Sequence, residues 1–224
     1  MNKNVVLIYS GGVDSTTLLY LLIKKGFKIK TLSFDYGQKH RKELKMAKKT
    51  CNKLGIENKI INLRNLAPIL KSALVGKGEK IPEGHYKDKV MKQTVVPNRN
   101  MIMLSIAMAY AISLKYSYIA YAAHSGDHEI YPDCRPIFVD RISKLAEVID
   151  YKPVKILVPF INKTKTDIVR IGKKLNVDYS LTWSCYCGKK NPCLKCGTCV
   201  ERIEAFKQNN MRDPLISEKV WKNL

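Results

Sequence analysis

The chain has 224 residues, 46% of them hydrophobic, and a formal net charge of +21. This length suits one sizeable α/β core, so we expect a single domain over residues 1–224. No uninterrupted apolar run approaches eighteen residues and no signal-peptide cleavage site follows the N-terminus. We therefore expect a cytoplasmic protein without a membrane span.

The positive charge comes mostly from lysine, which supplies 32 of the 40 basic residues and is scattered along the chain. Base reading and bidentate phosphate contacts usually favour arginine. The pattern therefore indicates a solvated basic surface, and direct binding of nucleic acid is not expected. The remaining interpretation is that the charge attracts anionic substrates such as nucleotides, or RNA.

Short apolar runs alternate with helical apolar faces along the chain, which is typical of crossover connections and a parallel sheet. The fold class predicted is α/β, a Rossmann-like parallel sheet with helices on both faces. Residues 64–96 lack a clear period and read as an insertion over a site. Strands are predicted at 5–9, 29–34, 60–63, 117–123 and 154–159, and helices at 16–23, 39–54, 101–114, 138–149 and 166–175.

A glycine-rich loop, Ser10-Gly11-Gly12-Val13-Asp14-Ser15, lies between the first strand and the first helix. Two adjacent glycines let backbone N–H groups converge on an anion, and the helix adds its positive end. Asp14 would repel phosphate, so we expect it to hold Mg²⁺ or to order the loop. The alternative is a turn that binds nothing, in which Asp14 or Ser15 caps the helix.

Three polar segments follow other predicted strands or precede a helix, and we expect all three at the same edge of the sheet as the loop. They are residues 35–40, 96–100 and 124–135. Each residue taken alone could be a turn former, a surface charge or a satisfied histidine. Their joint placement favours a site. The candidate residues are Arg99, His124, Asp127, Tyr131, Asp133 and Arg135.

Five of the seven cysteines fall within the last quarter of the chain, which indicates metal binding rather than disulfides. Cys187 is interpreted as a spare thiol and Cys51 as a small buried hydrophobe. Reduced cysteines and an iron–sulfur cluster are the alternatives. A small zinc-binding module over residues 183–202 is the favoured prediction, with Cys185, Cys193, Cys196 and Cys199 as ligands of a structural ion.

These motifs carry a resemblance. The loop Ser10–Ser15 resembles the pyrophosphate loop of the PP-loop ATP pyrophosphatases, which adenylate an oxygen and release pyrophosphate. Tyr-Pro-Asp-Cys-Arg at 131–135 and Thr-Trp-Ser-Cys-Tyr at 182–186 resemble the 7-cyano-7-deazaguanine synthases, the amidoligases of queuosine and archaeosine biosynthesis. The likeness extends from Ser10 to Phe206. Ala122 departs from it, since glycine is expected there.

The resemblance implies an adenine nucleotide alpha hydrolase-like fold, ATP and Mg²⁺ as cofactors, and a homodimer. It implies conversion of 7-carboxy-7-deazaguanine and ammonia to the nitrile. It assigns catalysis to Asp14, Ser15, Arg99 and Lys165. It assigns ATP binding to Tyr9, Ser10, Gly11, Gly12, Val13, Asp14, Ser15, Thr16, Thr17, Leu18 and Leu19.

Three other functions fit parts of the sequence. A PP-loop enzyme that modifies tRNA would account for the basic surface, although no appended RNA-binding module is evident. A related ligase would pass the activated deazaguanine to a protein amine instead of ammonia. A zinc-ribbon adaptor without enzyme activity would leave the glycine-rich loop unexplained.

Overall fold

A computed structural model describes residues 3–76, 80–84 and 89–224. In this part of the chain, five parallel strands form one sheet with the order β3-β2-β1-β4-β5. The central strand β1 is apolar because both of its faces are covered. The strands are β1 (Asn4–Ile8), β2 (Lys28–Asp35), β3 (Asn58–Asn62), β4 (Tyr118–Ala120) and β5 (Lys155–Leu157).

Helices cover both faces of the sheet, and the side chains of β1 alternate between the two layers. Val5 and Leu7 pack in one apolar cluster with Leu18 and Ile168, whereas Val6 packs in the other with Leu104. This confirms the predicted fold class. The α-helices are α1 (Val13–Lys24), α2 (Lys42–Leu54), α3 (Arg99–Ser113), α4 (Pro136–Ala146), α5 (Lys165–Lys174), α6 (Gly197–Gln208) and α7 (Glu218–Trp221).

The structure differs from the sequence prediction at several boundaries. Strand β4 covers three residues rather than 117–123, because the polypeptide leaves the sheet after Ala120 to form the site. Helix α4 starts and ends earlier than predicted. The region 64–96 contains two 3₁₀ helices, Arg64–Ile69 and Lys89–Thr94, and the rest of the predicted insertion lies partly outside the described residues.

One described segment, Val90–Ser113, is long and apolar enough to cross a membrane by length and composition alone. Its helix α3 packs against the sheet through Leu104, Ala107 and Ala111, all fully buried. The methionines Met103 and Met108 fill the same core, as predicted for this helix. Helix α3 is therefore a core helix of the α/β fold.

Candidate active site

A cavity of about 220 Å³ opens at the carboxyl ends of β1, β2 and β4. An open parallel sheet generally binds its ligands at this edge. The lining combines the glycine-rich loop with a charged group and an aromatic half. The charged group contains His124, Asp127 and Lys165, and the aromatic half contains Phe34, Tyr36, Arg99, Met103, Tyr121, Tyr131 and Tyr186.

The glycine-rich loop packs tightly against helix α2. Gly11 has a φ of +85°, and a Cβ atom there would lie 2.5 Å from the backbone oxygen of Glu43. Any other residue would therefore push the loop away from α2. Ser10 Oγ accepts a hydrogen bond from the Gly12 N–H (3.1 Å) and lies 3.0 Å from Ser15 Oγ. The two hydroxyls and the turn thus form one preorganised loop.

Helix α1 begins at this loop without a side-chain cap. Its N-cap residue is Gly12, which has no side chain to cap the helix, so neither Asp14 nor Ser15 occupies the N-cap position. The structure therefore does not support the alternative in which Asp14 or Ser15 caps the helix. First-turn N–H groups that lack an internal partner are suited to bind an anion.

The predicted ATP-binding residues divide into two groups. Tyr9, Ser10, Gly12, Val13, Asp14 and Ser15 line the cavity, whereas Gly11 and residues 16–19 are absent from its lining. Thr17 faces the protein interior, where its hydroxyl lies 2.9 Å from that of Tyr179. Leu18 and Leu19 are fully buried in the core.

Lys165 bridges the loop and the C-terminal part of the chain. It opens helix α5 after a capping box formed by Thr164 and Asp167. Its ammonium group donates a hydrogen bond to Asp14 and lies 3.4 Å from a carboxylate oxygen of Glu201. Burial opposes its charged form, but these carboxylates outweigh burial and raise the pKa of Lys165. The lysine therefore stays charged at the phosphate-binding end of the cavity.

The pKa values of Asp14 and Glu201 shift in opposite directions, although both carboxylates lie beside Lys165. Burial alone would raise the pKa of Asp14, but the Lys165 ammonium and His124 together lower it. Burial raises the pKa of Glu201. Glu201 was not singled out from the sequence, although it lies in the predicted cysteine segment 183–202, because its partner Lys165 is 36 residues away in the chain. It reaches the site only through the packing of helix α6 on α5.

His124 is held as a neutral imidazole beside two carboxylates. Its Nδ1 accepts a hydrogen bond from the Gly126 N–H (3.1 Å), so the proton lies on Nε2. Nε2 is 3.4 Å from Asp127 Oδ2 and 3.8 Å from Asp14 Oδ2. Burial and the Lys165 charge lower the pKa of His124. Burial, reinforced by the Asp14 carboxylate, raises the pKa of Asp127 from 3.8 to about 6.

The Asp127 shift predicts a stability effect with a definite sign. An acid with a raised folded-state pKa keeps its proton longer in the folded state, so its ionisation costs stability as the pH rises from about 4 to about 6. Asp127→Asn is therefore expected to stabilise the protein by about 2 kcal/mol at pH 8, and this gain should shrink towards pH 4. Urea unfolding at both pH values measures the effect. Asp140→Asn, on the exposed face of α4, is the matched control, and a gain that does not depend on pH would contradict the assignment.

The aromatic half of the cavity is built by the ends of β2, α3 and the 3₁₀ turn Pro132–Cys134. Arg99 donates a hydrogen bond to the Tyr36 hydroxyl (3.2 Å). The Tyr131 hydroxyl lies 2.8 Å from Thr94 Oγ1 and 3.2 Å from the Tyr186 hydroxyl. Aromatic walls whose polar edges are held by hydrogen bonds are suited to a flat heteroaromatic ligand.

Two predicted substrate residues lie away from this cavity. Asp133 Oδ2 accepts the Asn100 N–H at the start of α3 (2.9 Å), and Asp133 is absent from the lining. Arg135 is exposed, and its Nε donates to the backbone oxygen of His128 (2.7 Å). The structure thus brings together His124, Asp127 and Tyr131, but neither Asp133 nor Arg135.

Four cysteine sulfurs converge in the C-terminal segment, within 4.8 Å of one another. Cys193 Sγ lies 3.9 Å from Cys199 Sγ, close to the roughly 3.8 Å edge of a tetrahedron with Zn–S bonds of about 2.3 Å. Backbone N–H groups of Cys193 and Cys196 donate to neighbouring sulfurs, which suits thiolates. The donor set fits one metal ion, and Cys187 lies outside it. The four cysteines are Cys185, Cys193, Cys196 and Cys199.

The cysteine segment is tied to the phosphate-binding loop. The backbone N–H of Trp183 donates to the backbone oxygen of Gly11 (3.0 Å). Arg202 forms a buried bidentate pair with Asp213 (2.7 and 2.9 Å) and also donates to Thr182 Oγ1 (2.9 Å). Helix α6 has Cys196 as its N-cap, Cys199 in its first turn and Glu201 two residues later, so two of the cysteines and the carboxylate that faces Lys165 share one rigid element.

A second cation position is suggested by Asp14. Its Oδ1 atom is buried without a hydrogen-bond partner among the described residues, while Oδ2 meets Lys165. Carboxylate oxygens are preferred ligands of Mg²⁺. The unpaired Oδ1 atom of Asp14 fits such an ion.

The parallel sheet and the glycine-rich loop after β1 define a nucleotide-binding α/β protein of the PP-loop class. The fold is similar to that of the NMN synthetase from Francisella tularensis, with a TM-score of 0.50 at 13% sequence identity over 99% of this chain and 84% of that one. Residues 4–210 match the family model described as queuosine biosynthesis protein QueC. The chain belongs to the QueC family.

Curated relatives match almost from end to end. A protein from Caldicellulosiruptor saccharolyticus is 52% identical over 94% of this chain and 93% of its own length. One from Methanoregula boonei is 51% identical over 94% of this chain and 97% of its own length. One from Alteromonas mediterranea is 48% identical over 96% of this chain and 99% of its own length. All three are named 7-cyano-7-deazaguanine synthase.

Proposed function

We propose that this protein is an ATP-dependent ligase that converts 7-carboxy-7-deazaguanine and ammonia to 7-cyano-7-deazaguanine. The observation that carries the proposal is the joining of two halves in one cavity. The phosphate-binding loop with Lys165 forms one half, and the aromatic walls form the other. The names of the relatives support the product, 7-cyano-7-deazaguanine.

The chemistry requires two activations of one carbon. The substrate carboxylate oxygen attacks the α-phosphorus of ATP and pyrophosphate leaves. Ammonia then attacks the carbonyl carbon, AMP leaves and a proton is lost, which gives the amide. The amide oxygen is adenylated by a second ATP and pyrophosphate leaves again; loss of AMP and of both amide protons gives the nitrile. Activation is needed because a carboxylate oxygen is a poor leaving group.

The residues of the loop and the charged group have the positions for this reaction. The N-terminus of α1 and the hydroxyls of Ser10 and Ser15 bind the departing pyrophosphate, and Lys165 neutralises its charge. Mg²⁺ held by Asp14 would supply further charge neutralisation at the phosphates. Since no lysine follows the glycines, as it would in a Walker A loop, adenylation fits better than transfer of the γ-phosphate.

The remaining residues orient the deazaguanine. A guanine-like base presents adjacent N–H donors, which a carboxylate accepts in pairs. Asp127 is preferred to Asp133 as this acceptor, because Asp133 already binds the start of α3. Tyr131 provides a stacking surface, and the Arg99 guanidinium faces the same cavity as a partner for the substrate carboxylate.

Product analysis tests this function. Purified protein with ATP, ammonium and 7-carboxy-7-deazaguanine is expected to give AMP and pyrophosphate, with the amide appearing before the nitrile in mass spectra. The amide with ATP but without ammonium should still give nitrile, and labelled carboxylate oxygen should appear in AMP. ADP with labelled inorganic phosphate would contradict adenylation. Coupling of the deazaguanine to a protein amine would show that ammonia is not the acceptor.

The metal and the assembly complete the proposal. Zinc is the ion proposed for the four cysteines, in a structural role, because four thiolates leave no open position for a substrate. Residues 1–224 form one domain with the cysteine segment 183–202 packed on it. The protein is a cytoplasmic homodimer that acts on small molecules and does not bind nucleic acid directly. Light scattering tests the dimer, and a salt-dependent tRNA affinity would contradict the last statement.

A further inference from the structure

The side chain of Tyr121 ends in a buried hydroxyl without a partner. The residue directly follows β4, and its N–H donates to the backbone oxygen of Leu157 (3.2 Å), which fixes its backbone. Only 5% of Tyr121 is exposed, yet it lines the cavity. Among the described residues its hydroxyl finds no hydrogen-bond partner.

Other tyrosines around the cavity behave differently. The hydroxyl of Tyr9 lies 3.2 Å from Thr16 Oγ1, that of Tyr36 accepts from Arg99, and those of Tyr131 and Tyr186 meet each other. A phenylalanine at position 121 would fill the same space without the cost of a buried, unpaired hydroxyl. The hydroxyl is therefore explained best by a partner that arrives with a ligand.

The surroundings of Tyr121 define the kind of partner. Burial raises its pKa, and the neighbouring Cys134 and Asp133 act in the same direction. The phenol consequently stays protonated and is able to donate a hydrogen bond to an acceptor. Phe34, Met103 and Tyr131 line the same half of the cavity, so the acceptor belongs to a flat and largely apolar ring.

We propose that the Tyr121 hydroxyl donates a hydrogen bond to a ring-edge acceptor, a carbonyl oxygen or a ring nitrogen, of the heteroaromatic substrate. Tyr121 is then a specificity-determining residue for the base, separate from the groups that handle phosphate. This inference rests on the proposed function, since it assumes that the aromatic half holds a heteroaromatic acid.

The Tyr121→Phe variant tests the inference through two opposite effects. The KM for 7-carboxy-7-deazaguanine is expected to rise about 3- to 10-fold, the worth of one neutral hydrogen bond. The kcat and the KM for ATP should change less than twofold. The melting temperature of the ligand-free variant should rise, because an unpaired buried hydroxyl is removed, while the stabilisation given by the deazaguanine acid should shrink.

Tyr179→Phe is the matched control. Tyr179 is equally buried, does not line the cavity, and its hydroxyl is paired with that of Thr17. This variant should lower the melting temperature and leave the KM for the acid unchanged. If the wild type turns over normally and Tyr121→Phe has an unchanged KM for the acid, the inference is overturned but the proposed function stands. A loss of stability in Tyr121→Phe like that of the control variant would have the same meaning. A wild type that neither turns over nor is stabilised by the acid overturns the proposed function and the inference with it.

Discussion

Replacement of Lys165 by methionine is expected to reduce turnover by at least about a hundredfold, because we propose that its ammonium group neutralises the departing pyrophosphate. The same change leaves the partly buried carboxylates of Asp14 and Glu201, 22% and 14% exposed, close together without their cation. The free energy of unfolding should therefore fall by about 3 kcal/mol. Steady-state product release and urea unfolding measure the two effects separately.

Two further variants separate the catalytic role of Lys165 from its structural role. Lys163→Met changes an exposed lysine of the same segment and should leave turnover and stability near wild type. The double change Asp14→Asn with Lys165→Met removes one charge of each sign, so stability should largely return while turnover does not. Turnover of Lys165→Met within a few-fold of wild type would show that the lysine only supports the fold.

Loss of one metal ligand should have the largest effect on stability. Cys193→Ser is expected to release the zinc ion that we propose for this site and to lower the free energy of unfolding by several kcal/mol, since metal-binding free energy is folding free energy in such segments. ATP affinity should fall as well, because the Trp183 contact to Gly11 and the position of Glu201 depend on the same segment. Metal analysis, denaturant unfolding and nucleotide titration check the three results.

The matched variant for this test is Cys187→Ser, which lies in the same loop outside the group of four sulfurs. It should keep the full metal content and near wild-type stability. Metal retained by Cys193→Ser and lost by Cys187→Ser would show that the ligand set is incorrect. If the analysis finds iron instead of zinc, the proposed ion is wrong but the four proposed ligands still stand.

The fold was predictable because its signals are local. Apolar runs mark the buried parallel strands, and the glycine pair at 11–12 marks the turn where β1 meets α1. The convergence of the four cysteines followed from their spacing, since C-x₂-C steps fix neighbouring sulfurs within reach of one ion.

Features that depend on tertiary packing were not predictable. Glu201 has no local signature, and helix α6 was not predicted because the cysteines interrupt its apolar pattern. The unpaired state of the Tyr121 hydroxyl is a property of its neighbours, not of its sequence context. Asp133 and Arg135 sit beside a predicted site residue in sequence, but the 3₁₀ turn directs them to α3 and to the His128 backbone.

The contacts of the loop at 10–15 also set an order of events during synthesis on the ribosome. The loop is among the first residues made, and the sheet has all its strands once β5 has emerged. Its partners Lys165 and Trp183 are made afterwards. A chain that ends at residue 157 therefore contains all five strands of the described sheet but neither of these two residues, so the loop would lack both contacts.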